Sequence, residues 1–236
     1  MTLVLGLDGC PAGWCGVTID ARDGGAVALP QTAFPTFADA VATNAAVIAI
    51  DIPIGLLDVP GGRGCDVEAR RLLGPSRASS VFPAPSRRAS AVVDYREACG
   101  INFELTGRRL SRQAHNIAPK IREVDQEMKP DLQERVFEVH PEVCFRALSL
   151  GPLAHPKKRL AGRLERWSLL RRVLPGLPEQ PPAPREMPQR CGVDDYMDAL
   201  VSAWTALCLF EGRAKRVPLV PDADERGLRM EIWFPA

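Results

Sequence analysis

Residues 3–8 read LVLGLD, an apolar run that ends in a carboxylate, and this stretch decides the fold. A strand of Leu and Val without a polar partner is typical of the middle of a sheet, where both faces are covered. The same pattern returns at residues 47–51, VIAID. Asp8 and Asp51 therefore each follow a predicted buried strand. They lie at the rim of the core, where an ion costs free energy unless it is paired or bound to metal.

The segments between these two strands predict a mixed sheet. Residues 14–19 and 26–29 have strand character, and Asp23-Gly24-Gly25 between them is a hairpin turn signal. Thr36 is a predicted cap for a short helix that reaches about residue 42. We therefore expect three antiparallel strands, followed by a strand at 47–51 that runs parallel to the first through a helical crossover.

A fifth strand is predicted at residues 135–140, RVFEVH, where apolar and polar side chains alternate. With it, the sequence predicts an α/β fold that has a mixed five-stranded sheet flanked by helices. A helix over 141–150 follows this strand, and an amphipathic basic helix is expected over 157–174. The clearest helix of the chain is predicted at 194–211.

The chain of 236 residues is long enough for a single domain, 1–236, that carries an insertion. Residues 52–134 are predicted to be a mostly helical insertion, with Asp66 as a helix cap and a break or kink at Pro119. Residues 175–190 form a predicted proline-rich loop. Two short strands are expected near the carboxyl end, around residues 222–227.

Composition excludes several classes of protein. The formal net charge of +1 gives no general case for binding nucleic acid or a membrane surface. The seven cysteines form no CxxC pair, so a structural zinc site is not expected, and several of them read as small buried hydrophobes. No apolar stretch reaches membrane-spanning length, and no basic segment precedes the first apolar run. We expect a cytoplasmic protein.

The start of the late helix supplies further carboxylates, at Asp194, Asp195 and Asp198. Residues three or four apart share a helix face, so either Asp195 or Asp194 can pair with Asp198. Acids at a helix start also suit the helix dipole, and that interpretation alone explains Asp194 and Asp195. It explains Asp198 poorly, because that residue lies beyond the first turn and precedes small residues that would let the helix approach the sheet.

A cluster of carboxylates from distant segments is how proteins hold Mg²⁺ or Mn²⁺ for phosphate chemistry. We expect Asp8, Asp51, Asp195 and Asp198 to bind metal and to be catalytic. Glu138 is a candidate fifth acid, although it can equally form an ion pair with an arginine. His140 is a candidate proton donor at near-neutral pH, or else a satisfied polar residue at a strand end.

Three further features can contact a phosphate. Residues 9–14, GCPAGW, are a predicted turn whose backbone N–H groups can cradle a phosphate. The same turn can equally serve only to join the two strands of a β-hairpin. Lys120 and the face formed by Arg163 and Arg166 can contact a phosphate backbone, although most basic helix faces are simply solvated.

The acids on strand one, after strand four and on a late helix resemble those of the ribonuclease H-like fold. The chain more closely resembles one family of predicted RNase H-like nucleases, an uncharacterised prokaryotic domain of unknown function, number 429. The stretches that carry this resemblance are LDGCPAGW (7–14), DIPIGL (51–56), the helix that includes Asp66, Ala69 and Arg70, SVFPAP (80–85), LSRQAHNIAPKIREVD (110–125), FEVHPEVCF (137–145) and VDDYMDALVSAWTA (193–206).

The resemblance implies an acidic site made of Asp8, Asp51, Glu138, Asp195 and Asp198. It also implies that Lys120, Glu123 and His140 are polar residues near that site. The function implied is a nuclease that hydrolyses phosphodiester bonds by a two-metal mechanism, with a nucleic acid or nucleotide as substrate.

Two other functions fit the same sheet. An actin-like or sugar-kinase-like phosphotransferase shares the core and an Asp-Gly turn after strand one, but it normally needs two copies of that core. The other alternative is a non-catalytic binding protein that keeps the same fold, such as one that binds nucleic acid without cleaving it. The balanced charge slightly favours such a protein over one that binds nucleic acid tightly, because tight binding demands a local basic surface.

Overall fold

The computed structural model describes residues 2–22, 25–187 and 190–236. Asp23 and Gly24 of the expected hairpin turn, and Pro188 and Gln189 of the proline-rich loop, lie outside the described residues. The chain divides into two compact units. The first comprises Met1–Asp51, Arg135–Lys215 and Trp233–Ala236, and the second comprises Ile52–Glu134 and Arg216–Ile232.

The described residues form eight strands and eight α-helices. The strands are β1 (Thr2–Cys10), β2 (Gly13–Arg22), β3 (Gly25–Ala28), β4 (Thr32–Phe34), β5 (Val47–Ile50), β6 (Val136–Glu138), β7 (Ala214–Val217) and β8 (Ile232–Pro235). The helices are α1 (Phe37–Val41), α2 (Gly64–Leu73), α3 (Arg87–Ser90), α4 (Tyr95–Thr106), α5 (Arg112–Glu127), α6 (Pro141–Ser149), α7 (Leu160–Val173) and α8 (Val193–Phe210).

The first unit is built on a mixed sheet with the strand order β3-β2-β1-β5-β6. Strand β1 pairs antiparallel with β2 and parallel with β5, and β5 pairs parallel with β6. The expected α/β class, the mixed sheet and the parallel crossover through α1 are confirmed.

The expected count of five strands is wrong, because among the described residues the sheet contains a sixth strand, β4. Strand β3 pairs with β2 only from Ile19 onward. The beginning of β2 therefore has a free edge, and β4 occupies it through the pairs Trp14↔Phe34 to Gly16↔Thr32. A three-residue strand has too little alternation to be recognised in a sequence.

Asp8 lies inside β1 rather than at its exit, which corrects the predicted strand end. The hairpin with β2 continues through Asp8↔Cys15 to Cys10↔Gly13. The parallel ladder with β5, in contrast, ends at Leu7↔Ile50. Asp8 therefore marks the carboxyl end of the parallel ladder, although not of its strand.

Helix α8 packs directly on the middle of β1. A Cβ atom built on Gly6 would lie 2.2 Å from the carbonyl oxygen of Ala199 and 2.1 Å from the backbone nitrogen of Ala203. Only a glycine facing small helical residues permits this approach. Around it, side chains of the sheet, α6, α7 and α8 form one apolar core that includes Val4, Val17, Phe145, Trp167 and Leu200.

The second unit contains α2 to α5. Asp94 and Ser111 cap α4 and α5 through their side chains, as expected of acceptors at these positions. Helix α5 continues through Pro119 without ending. Asp66 is not the cap of α2, because the helix begins two residues earlier, after Arg63, and Asp66 lies in its first turn.

Two further findings bear on the composition. All seven cysteines are buried and free. Among the described residues, no helix combines the length and the apolar character that crossing a bilayer requires.

Candidate functional site

The register of the sheet brings Asp8 and Asp51 side by side. Leu7 pairs with Ile50 at the end of the parallel ladder, and the N–H of Asp51 donates to the carbonyl oxygen of Leu7 at 3.1 Å. The residue after Leu7 is Asp8, and the residue after Ile50 is Asp51. Since side chains alternate along a strand, Asp8 lies on the same sheet face as Gly6, the face that α8 covers.

Helix α8 adds Asp198 to this pair. Asp198 directly precedes Ala199, whose backbone lies against Gly6. It is 4% exposed, whereas Asp8 and Asp51 are only half-buried and retain accessible surface. Three segments that are far apart in the sequence therefore contribute one carboxylate each to the end of the parallel ladder.

The electrostatics of Asp8 show how closely these groups interact. Burial raises the pKa of Asp8 well above its usual value, and the negative charges of Asp51, Asp198 and Asp195 raise it further. Although part of Asp8 is accessible, enough protein surrounds the carboxylate for burial to be the largest cause. The carboxylate accepts one short hydrogen bond, from the N–H of Gly9 at 2.8 Å.

The other two carboxyl groups are also shifted toward the protonated form. Burial raises the pKa of Asp51, and the positive charges of His140 and Lys157 oppose this increase. Burial likewise raises the pKa of Asp198 to about 6, with Lys157 opposing and Asp51 adding to the shift. The cluster therefore carries more negative charge than its surroundings neutralise.

Lys157 is the cation in direct contact with the cluster. Its Nζ donates to Oδ2 of Asp198 at 2.9 Å, and its side chain is 42% exposed. The charge of Asp198 raises the pKa of Lys157, which therefore stays protonated. The sequence predicts a basic helix from residue 157, whereas α7 begins only at Leu160, and no local pattern indicates that Lys157 contacts Asp198.

A buried ion pair lies behind the cluster. Glu142, in the first turn of α6, accepts from Nη2 of Arg166 at 2.6 Å and 2.9 Å and from its Nε at 3.2 Å. Glu142 raises the pKa of both Asp51 and Asp198. Arg166 is 1% exposed, so its expected position on a solvated or phosphate-binding face is wrong. Its guanidinium is directed into the core because Glu142 balances its charge there.

The remaining acids of α8 have local partners. Asp195 accepts the N–H of Gly192 at 2.8 Å and so caps the helix, as the helix-start interpretation expects. Asp194 pairs with Arg163 at 2.9 Å. Of the two, Asp195 is the one whose charge reaches Asp8. Both line a cavity of about 300 Å³ together with Arg163, Cys191 and Gly192.

Glu138 occupies a different face of the sheet. It pairs in register with Ile50, so its side chain lies on the face opposite to Asp8 and Asp51. His140 does not share the strand with it, because β6 ends at Glu138 and His140 is the residue before α6. Its charge is nevertheless close enough to lower the pKa of Asp51.

Two of the predicted polar residues belong to the second unit. Lys120 and Glu123 lie on α5, and both are half-buried. The third basic candidate, Arg163, lies in α7 of the first unit and is paired with Asp194.

Thiols lie beside the acidic cluster. Cys15 pairs with Asp8 across the hairpin, and Sγ of Cys10 lies 3.3 Å from Sγ of Cys191. Burial, with the neighbouring Cys191, raises the pKa of Cys15, so this group remains a neutral thiol. Cys15 therefore lies beside Asp8 as an apolar group rather than as a thiolate ligand.

The donor chemistry of the cluster fits a hard divalent cation. Carboxylate oxygens are the ligands that Mg²⁺ and Mn²⁺ prefer, and Asp8, Asp51 and Asp198 supply them without a thiolate that would select a softer metal. Burial raises all three pKa values, and repulsion from neighbouring aspartates adds to the shifts of Asp8 and Asp198. A bound cation would relieve that repulsion more fully than Lys157 alone.

A family model described as "Protein of unknown function (DUF429)" matches residues 6–223 of the chain. The match begins within β1 and ends beyond β7, and so includes Asp8, Asp51 and Asp198. A search of curated proteins and a search of solved structures each gave no significant match.

Proposed function

Because the chain belongs to this family of unknown function, we propose its activity from the site: a hydrolase of phosphodiester bonds that depends on Mg²⁺ or Mn²⁺. The observation that carries the proposal is the coupling of Asp8, Asp51 and Asp198. They come from β1, the end of β5 and α8, and their charges act on one another. Proteins seldom keep such repulsion without a bound cation or a chemical use for it.

The fold adds support for an RNase H-like nuclease. Antiparallel strands lie on one side of β1 and parallel strands on the other, the arrangement that the resemblance implies. Fold alone does not determine activity, so the assignment depends on the carboxylates at the end of the parallel ladder.

Each residue of the cluster has a role in this proposal. Asp8, Asp51 and Asp198 would hold the metal, which would polarise a phosphate oxygen and activate a water molecule. Asp8 and Asp51 are half-buried and can be reached from solvent. Lys157, paired with Asp198 and 42% exposed, can contact a phosphate with its remaining N–H donors. His140, whose charge acts on Asp51, is the group that we assign to proton transfer.

The first experiment measures metal binding without turnover. Titration calorimetry with Mn²⁺ on the purified protein should show binding, and Asp8→Asn and Asp198→Asn should each weaken it by at least about tenfold, since each removes an anionic ligand. The matched control is Asp194→Asn, which removes an acid of the same helix that is paired with Arg163. A parent protein that binds no Mn²⁺ would refute the metal site.

The second experiment measures cleavage of single-stranded and duplex DNA and RNA with Mg²⁺ or Mn²⁺. Asp8→Asn should reduce the rate by a factor of about 10² or more, as loss of a transition-state contact does. Full activity in Asp8→Asn would show that any nuclease activity has another origin. Phosphoryl transfer from ATP without cleavage of nucleic acid would instead indicate the alternative function, an actin-like or sugar-kinase-like phosphotransferase.

A further inference from the structure

A second site lies in the other compact unit, and nothing in the proposed nuclease function uses it. A cavity of about 730 Å³ is enclosed by α2, by the segment that precedes it, by residues 83–85 and by the chain from α4 to α5. Its volume is within the range of small-molecule sites, about 300–1,000 Å³. Every residue that lines it belongs to Ile52–Glu134, so the site is complete within the second unit.

The lining is strongly cationic. Five arginines contribute to it, against the single carboxylate of Asp66: Arg63, Arg70, Arg71, Arg108 and Arg109. Asp66 is already engaged, because its Oδ1 lies 3.5 Å from Nη1 of the buried Arg63. The chain as a whole has a net charge of only +1, so this concentration of arginine is local. Such a cavity is built for an anion.

Arg70 carries the most specific indication of a ligand. Its Nε donates to the carbonyl oxygen of Val81 at 2.9 Å, which fixes the guanidinium at the wall of the cavity. Its Nη2 is enclosed and has no hydrogen-bond partner among the described residues. Buried N–H groups are nearly always paired in folded proteins, so this donor indicates an acceptor that the protein itself does not supply.

Two other arginines are available at the rim. Arg108 and Arg109 are exposed, and within the described parts of the chain neither forms an ion pair. Arg109 lies over the ring of Phe103, 5.8 Å from its centroid. Arg71 differs from both, because Glu68 already balances it.

The backbone contributes to the same wall. Gly61 and Gly62 line the cavity and have positive φ angles of 114° and 77°, a conformation that turns the chain into α2. Arg63 precedes α2 without a side-chain cap. Arg63 therefore supplies no side-chain acceptor to the first N–H groups of this ten-residue helix, and the helix dipole at this end favours negative charge.

The rest of the lining is apolar. Leu57, Val59 and Val67 contribute, together with the segment Pro83–Ala84–Pro85. These flat and aliphatic surfaces suit a planar ring, whereas the arginines suit phosphate. We propose that this cavity binds a phosphorylated small molecule of nucleotide size, with its phosphates at Arg70 and the start of α2. This proposal does not depend on the metal cluster of the first unit.

The test uses titration calorimetry on the full chain in EDTA, which removes any contribution of a metal. The probes are ATP, AMP, adenosine and inorganic phosphate. ATP and AMP should bind, and adenosine should bind at least about tenfold more weakly, because it lacks the charge-assisted hydrogen bonds. The Arg108→Gln/Arg109→Gln variant changes only exposed side chains and should weaken binding of ATP by at least about tenfold.

The matched control is Arg96→Gln, an exposed arginine of α4 that does not line the cavity. It should bind ATP within about twofold of the parent, since it loses no direct contact. Arg70→Met should abolish binding, and a thermal melt shows whether that variant is folded. Asp8→Asn should bind ATP as the parent does, which separates this site from the metal cluster.

Three results would overturn the proposal. The first is absence of binding of ATP, AMP and phosphate to the parent protein. The second is equal weakening by Arg96→Gln and by Arg108→Gln/Arg109→Gln, which would indicate only general charge attraction. The third is binding of a single-stranded oligonucleotide in strong preference to every mononucleotide, which would identify a nucleic-acid surface rather than a small-molecule site.

Discussion

Each unit of the molecule holds a group of aspartates beside basic side chains, and the two groups differ in how their charge is balanced. In the first unit Asp8, Asp51 and Asp198 lie together, and Lys157 pairs with Asp198. Burial raises all three pKa values, and repulsion from neighbouring aspartates adds to the shifts of Asp8 and Asp198. Their negative charge remains in excess.

The group in the second unit is balanced. Arg87 pairs with Asp125 at 3.0 Å, with Glu225 at 2.8 Å and with Asp224. Burial acts to raise the pKa of Asp224, but hydrogen bonds from the N–H of Leu228 and from Arg87 outweigh it and lower the pKa. The difference shows that burial of a carboxylate does not by itself mark a site. A carboxylate with a purely structural role accepts hydrogen bonds from donors of the fold, whereas a carboxylate that binds a ligand has fewer such donors.

The largest effect should come from breaking the balanced group. In Asp224→Asn the side-chain NH₂ would face an N–H donor that the buried carboxylate now accepts, that of Leu56 or of Leu228, and Arg87 would lose one of its three carboxylates. The free energy of unfolding should therefore fall by about 3–5 kcal/mol. Asp8→Asn, its counterpart in the first unit, relieves repulsion and should leave the metal-free protein as stable as the parent, or about 1 kcal/mol more stable. Urea unfolding in EDTA measures both. Equal destabilisation would mean that the two groups are not different in kind.

The second-largest effect concerns the close packing of α8 on β1, which places Asp198 near Asp8. Gly6→Ala places a Cβ against the backbone of Ala199 and Ala203, which cannot move as a flexible side chain does. We expect a loss of about 1–3 kcal/mol from overpacking, together with weaker Mn²⁺ binding. The control is Gly100→Ala in α4, where no atom lies within 4 Å of the new Cβ. That change should stabilise the protein by up to about 1 kcal/mol, and the comparison is lost if both variants respond alike.

The smallest effect is a dependence on pH. Burial raises the pKa of Asp198 from its ordinary value of 3.8 to about 6 in the folded chain, so the folded state binds more protons between these two pH values. Stability contributed by this group is therefore present at low pH and is lost as pH rises through 6. Between pH 5 and 7.5 the metal-free protein should lose about 1 kcal/mol from it. Asp198→Asn should remove that part of the slope, and an unchanged slope would contradict the shift.

Much of the first unit could be predicted from its residues. The apolar runs before Asp8 and Asp51 predict buried strands, and the small residues after Asp198 predict a helix that approaches a sheet closely. Both follow from local patterns, because periodicity and side-chain size act over a few residues. The short strand β4 was not predicted, since three residues show no alternation.

The sequence by itself determined the class of fold, the parallel crossover and the acids that follow the buried strands. Only the tertiary structure decided that Lys157 is the partner of Asp198, 41 positions away, and that Arg166 is buried against Glu142. It also decided that Glu138 lies on the other face of the sheet, because its pairing with Ile50 fixes where its side chain is directed. Charge balance depends on contacts between distant segments, and no local pattern records them.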